Sequence, residues 1–159
     1  MVTVIGIDPG YARCGFGVIE PRGQDWISVA HGVITTSQEI QHADRLLEIA
    51  SDLRSIIEKH NPSILVIEEL FFAKSTTTAL KVAEVRGVVI VEARRAGLEI
   101  VEVKPNEVKM ALTGYGKADK RQMQEMVKTV FGFSTIPQPD DAADALAIAW
   151  CGACKAKFK

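Results

Sequence analysis

The spacing of apolar and polar residues divides this chain into alternating short runs and long helical stretches. Val2 to Ile7 is a β-favouring, mostly apolar run that stops at Asp8, just before Pro9-Gly10. "CGFGVIE" follows the "PGYAR" turn as a second strand, and "DWISVAHGVITT" reads as a third. The short turns between them favour antiparallel neighbours. In "ADRLLEIASDLRSIIEKH" the apolar residues Leu46, Ile49, Ala50, Leu53, Ile56 and Ile57 recur at helical spacing. Asp44 or a neighbour is expected to cap its start, and Asn61-Pro62 to end it. "SILVIEEL" is nearly continuous in apolar residues, as in a strand covered on both faces.

The rest is helical apart from one short strand, "LEIVEV". "STTTALKVAEVRGVVIVEARRAG" reads as one helix, with Leu80, Ala83, Gly87, Ile90 and Val91 on a shared face and Gly97 suited to a C-terminal cap. "PNEVKMAL" and "KRQMQEMVKTVF" are two shorter helices joined by "TGYGKAD", and "PDDAADALAIAW" opens the last. Three antiparallel strands followed by helical crossovers predict an α/β fold. It has a five-stranded mixed sheet with helices on both faces. At 159 residues the chain is expected to form one domain over 1–159.

The two strand-end acids raise the main chemical question. Desolvating a carboxylate at the tip of an apolar strand is costly unless it takes up a proton or meets a cation. Asp8 ends the first strand, and Glu68-Glu69 ends the fourth. If those strands are parallel neighbours, alternation lets only one of Glu68 and Glu69 join Asp8. In the last helix Asp141 and Asp144 share a face, as do Asp140 and Asp144, on an alanine-rich segment that allows close approach to a sheet. Converging carboxylates repel one another, and hard divalent cations such as Mg²⁺ resolve the conflict. Two such ions ~4 Å apart activate water and stabilise a leaving oxygen in phosphodiester cleavage. Singly, each acid has a plainer role, in a turn, a helix N-terminus or solvent. The combination points to metal-assisted cleavage of a nucleic-acid backbone.

Net charge is −1, so the whole chain is not a polycation. Basic residues gather locally, however: Lys104, Lys109, Lys117, Lys120, Arg121 and Lys128 outnumber the nearby acids. Such a cluster suits phosphate contacts, although a solvated helix face explains many similar runs. Phe71-Phe72 directly follows the fourth strand and could stack on unpaired bases. No apolar run approaches the ~18 residues of a membrane span, so no membrane association is expected. Three cysteines and no export signal suggest a reducing, cytoplasmic setting. The Cys151/Cys154 spacing falls late in a helix, away from the N-terminal position that activates a redox thiol.

Taken together, "GIDPG" with "GFGVIE", "VIEELFFAKSTTTALKVAEVRGV" and "DDAADALAIA" resemble, in order, three blocks of the RuvC-type Holliday junction resolvases. The resemblance implies a ribonuclease H-like fold, a homodimer and paired symmetric nicks in four-way junction DNA during recombination and repair. It implies two Mg²⁺ ions per site, with Mn²⁺ as a substitute, held by Asp8, Glu68, Asp141 and Asp144. By the same resemblance Phe71, Lys109, Lys117 and Lys120 are DNA contacts, and a branch-migration complex of RuvA and RuvB type is a partner. An actin-like phosphotransferase shares the first hairpin pattern but needs a second such domain. A ribonuclease acting on RNA is a nearer alternative.

Overall fold

Strand order in the sheet is β3-β2-β1-β4-β5, in a computed structural model that describes residues 1–70 and 76–156. The strands are β1 (Val4–Asp8), β2 (Arg13–Arg22), β3 (Asp25–Thr35), β4 (Ile64–Glu68) and β5 (Glu99–Val103). The first three are antiparallel neighbours, and β4 runs parallel to both β1 and β5. This is the predicted mixed sheet. The helices are α1 (His42–His60), α2 (Thr76–Arg95), α3 (Pro105–Thr113), α4 (Lys120–Val130) and α5 (Asp140–Ala156).

Alternation along β1 and β4 feeds two separate cores. Ile5, Ile7, Leu65 and Ile67 pack with Ile49, Leu53 and Ile57 of α1 and with Val85, Val89 and Ala93 of α2. Val4, Ile64 and Val66 face the other way, toward α3, α4 and α5. Each fully buried Ile or Leu contributes about 1.5–3 kcal/mol. That is enough to fix strand register, because a one-residue slip would exchange the two faces.

Two local points become specific in the structure. The residue before α1 is Gln41, and Asp44 lies within the first turn instead of capping it. Asn61 ends α1 in the left-handed conformation, φ 45°, as the Asn-Pro pair suggested. The α2 face holding Leu80, Gly87 and Val91 does not meet the sheet. Leu80 is 56% and Val91 51% exposed, while Val85, Val89 and Ala93 are buried. Apolar residues lie on several sides of α2, so periodicity alone could not select the inward side.

Candidate active site

The same alternation that builds the cores aims the acids. Asp8 follows Val4 and Gly6 on the face that meets α5, and Glu68 follows Ile64 and Val66 on that face. The parallel pairing Ile7↔Ile67 sets the two strand ends side by side. Glu69 lies past the end of β4, where its backbone N–H donates to the Val103 carbonyl at 2.8 Å. Alternation therefore selects Glu68 as the partner of Asp8.

Helix α5 comes unusually close to the sheet because glycines face it. A Cβ placed on Gly6 would stand 2.2 Å from the Ala145 carbonyl oxygen. On Gly15, the register partner of Asp8, it would stand 2.1 Å from that of Asp141. Asp141, Ala145 and Ala149 form an i,i+4 row over this seam. Asp144 thereby reaches the cavity of about 370 Å³ that Asp8 and Glu68 also line.

Two lysines line that cavity, each placed by the start of a helix. Lys109 lies on α3, whose first turn is fixed by the Lys104 N–H donating to the Glu107 carboxylate at 2.8 Å. Lys120 is the first residue of α4. There Asp119 accepts from the Gln122 N–H at 2.8 Å, and Gln122 accepts from the Asp119 N–H at 2.8 Å. The Lys120 ammonium pairs with Asp140 and lies 4.0 Å from Asp144.

Burial pushes the Asp8 carboxyl up to about 8, reinforced by Asp144, Glu68 and Asp141 and opposed by Lys120. Glu68 is raised by burial and by Asp144, against the pull of Lys109. Asp144 is raised chiefly by burial, with Lys120 opposing. The pair with Lys120 holds Asp140 below the usual carboxylate range. Asp8, Glu68 and Asp144 are thus half-buried oxygen donors with too little positive charge nearby, a donor set that fits a hard divalent cation. Among the described residues, no group of three or more acidic, imidazole or thiol side chains is already drawn together as a chelate.

The sequence-predicted residues separate into three groups. Asp8, Glu68, Asp144, Lys109 and Lys120 share the cavity. Asp141 lies beside it, paired with Arg13 at 3.1 Å, and is felt electrostatically by Asp8. Lys117 is exposed in the α3–α4 turn and does not line the cavity. Phe71 and Phe72 lie outside the described residues. Two basic residues escaped the sequence reading. One is Arg13, on Asp141. The other is Arg86, whose Nε donates to the Glu68 carbonyl at 3.1 Å and whose Nη2 meets Glu102 at 2.6 Å. Arg86 also lines a smaller adjoining cavity of about 220 Å³ with Asp8, Glu68 and Glu69. Neither residue had a periodic signal. No described helix is long and apolar enough to cross a membrane.

Comparison with known proteins agrees with this geometry. The family model described as "Crossover junction endodeoxyribonuclease RuvC" matches residues 4–152. A crossover junction endodeoxyribonuclease RuvC of Roseiflexus sp. (strain RS-1) is 52% identical over 92% of this chain and 88% of that protein. The Thermus thermophilus RuvC structure superposes with TM-score 0.90 at 33% identity, over 99% of this chain and 96% of that one. A structure of T. thermophilus RuvC in complex with Holliday junction substrate also gives 0.90, at 30% identity over the same shares. The architecture is accordingly the ribonuclease H-like one expected from the sequence. The chain belongs to the RuvC family of crossover junction endodeoxyribonucleases.

Proposed function

We propose that this chain acts as its family's description says, as an endonuclease on four-way (Holliday) DNA junctions in recombination and repair. In this reading residues 1–159 form one nuclease domain, and Asp8, Glu68, Asp141 and Asp144 hold its metal ions. The observation that carries it is the meeting of Asp8, Glu68 and Asp144 with Lys109 and Lys120 around one cavity. When bound by these carboxylates, two Mg²⁺ ions, with Mn²⁺ as a substitute, would supply activation of a water for attack on phosphorus and stabilisation of the departing 3′ oxygen, giving a 5′ phosphate.

The protein's own part is to aim and balance charge. Asp8 and Glu68 present oxygens from fixed strand ends, and α5 brings Asp144 across from above. Arg13 steadies Asp141 at the rim. Lys109 and Lys120 draw the scissile phosphate in and offset the charge that builds on it. Lys117 binds phosphate farther out, and Phe71 stacks on bases opened at the junction centre.

The exposed α2 face with Leu80, Gly87 and Val91 is the contact with a second copy. A two-fold dimer suits a substrate of matching symmetry and explains paired nicks. A branch-migration complex of RuvA and RuvB type delivers the junction, and the setting is the cytoplasm. The test is to incubate the protein with a synthetic four-way junction and a matched duplex, with Mg²⁺ or chelator, and to repeat with Asp8→Asn. Symmetric nicking of the junction alone, lost in the variant while binding persists, is expected. Equal cutting of the duplex, or no cutting, would overturn the reading.

A further inference from the structure

Behind the Asp8 turn lies a polar network that the cutting reaction as proposed leaves unused. The Tyr11 hydroxyl meets His42 Nδ1 at 2.8 Å, and His42 Nε2 pairs with the Glu84 carboxylate. Three elements meet here: the β1–β2 turn, the start of α1 and the middle of α2. One neutral tautomer satisfies the chain, with the Tyr11 O–H donating to Nδ1 and Nε2–H donating to Glu84.

Cations hold the same tyrosine. The Arg45 guanidinium lies 3.7 Å from the centre of its ring, and the Lys81 ammonium 4.8 Å. Arg45 is only 6% exposed. It donates to the Tyr11 carbonyl at 3.4 Å and to Thr36 Oγ1 at 3.0 Å. Thr36 Oγ1 in turn donates to the Tyr11 carbonyl at 3.3 Å, and the Thr36 N–H to the Ala12 carbonyl at 3.3 Å. Burying a guanidinium is costly, and here it fixes a four-residue turn whose other end is Asp8.

We propose that Tyr11, acting through His42 and Glu84, is a positioning residue that ties the Asp8 turn to α2 and sets how Asp8 reaches its metal. His42 and Glu84 are 39% and 54% exposed, so their pair contributes little to stability. Its effect is on aim. Lys81 and Glu84 are neighbours of Leu80 and Gly87 on α2, so the face proposed to meet a second copy and the Asp8 turn share one helix. This inference deepens the proposed function and rests on it.

The test uses the full chain and Tyr11→Phe, which keeps the ring against Arg45 and removes only the hydroxyl. Mg²⁺ is titrated in two assays: junction nicking, and the rise in unfolding temperature without DNA. Three- to tenfold more Mg²⁺ is expected for the midpoint of both, with junction affinity unchanged. The metal-free unfolding temperature should fall by no more than about 4 °C. Glu84→Gln should give a similar shift, and the double variant no more than either alone. Wild-type midpoints in Tyr11→Phe, or shifts that multiply in the double variant, would overturn the relay and leave the nuclease reading intact. A wild-type protein that nicks no junction would overturn both.

Discussion

Gly15 lies directly beneath Asp141: a methyl group at that position would stand 2.1 Å from the Asp141 carbonyl oxygen. The contact is backbone against backbone, so no side chain can turn aside. Gly15→Ala should push the start of α5 off the sheet and move Asp141 and Asp144 with it. Overpacking of this kind costs about 1–3 kcal/mol. A displacement near 1 Å at a reacting centre costs on the order of 100-fold in rate. Junction nicking should therefore fall roughly 100-fold in a variant that still folds, as checked by circular dichroism.

Asp8 links the site to pH. Burial pushes its carboxyl up to about 8 from the ordinary 3.8, so the folded protein holds a proton that the unfolded chain releases between those values. Without metal, its stabilising contribution is complete below about 3.8 and is lost as pH rises toward 8. Asp8→Asn should remove this loss. At pH 8.5 and in chelator the variant should be more stable than the wild type by at least about 1 kcal/mol, or roughly 2–4 °C. Added Mg²⁺ should stabilise the wild type and leave the variant nearly unchanged. Thermal unfolding at several pH values reads all three effects.

Lys120 lies between Asp140 and Asp144, and its pair with Asp140 raises its own pKa. Lys120→Met should lower the single-turnover nicking rate about 10- to 100-fold, the scale for losing one charge-stabilising group. Lys117 is exposed outside the cavity. Lys117→Ala should leave that rate nearly unchanged and reduce the salt dependence of junction binding by about one unit of log–log slope. Binding isotherms at several salt concentrations separate the two roles.

The outer face of α2 gives a prediction about assembly. Leu80, 56% exposed, lies on the face proposed to meet a second copy. Leu80→Glu places a charge there that a dimer would have to bury, whereas a free monomer would solvate it at little cost. Sedimentation should show wild-type dimer and variant monomer. Paired nicks on one junction should give way to single ones.

The sequence was most legible where alternation and register did the work. "VTVIGID" and "SILVIEE" already read as two strands ending in acids, and if the strands are parallel neighbours, period two leaves room for only one member of Glu68-Glu69 beside Asp8. The structure selects Glu68 because it shares a face with Ile64 and Val66. What stayed hidden depended on chain segments far apart in sequence. Arg13 finds Asp141, and Arg86 finds the Glu68 carbonyl, by tertiary approach alone. Lys117 and Lys120 looked alike in the sequence, and the capped start of α4 sets Lys120 at the cavity rim, paired with Asp140. The inward side of α2 was illegible because its apolar residues do not form a single stripe.

The glycine seam under α5 also bears on the order in which the molecule acquires its nuclease. Asp8 is synthesised more than a hundred residues before Asp144, which lies on the helix that must settle into that seam. A nascent chain therefore holds the two strand-end acids without Asp144 until α5 docks. A chain stopped before α5 would hold strand-tip acids with nothing opposite them.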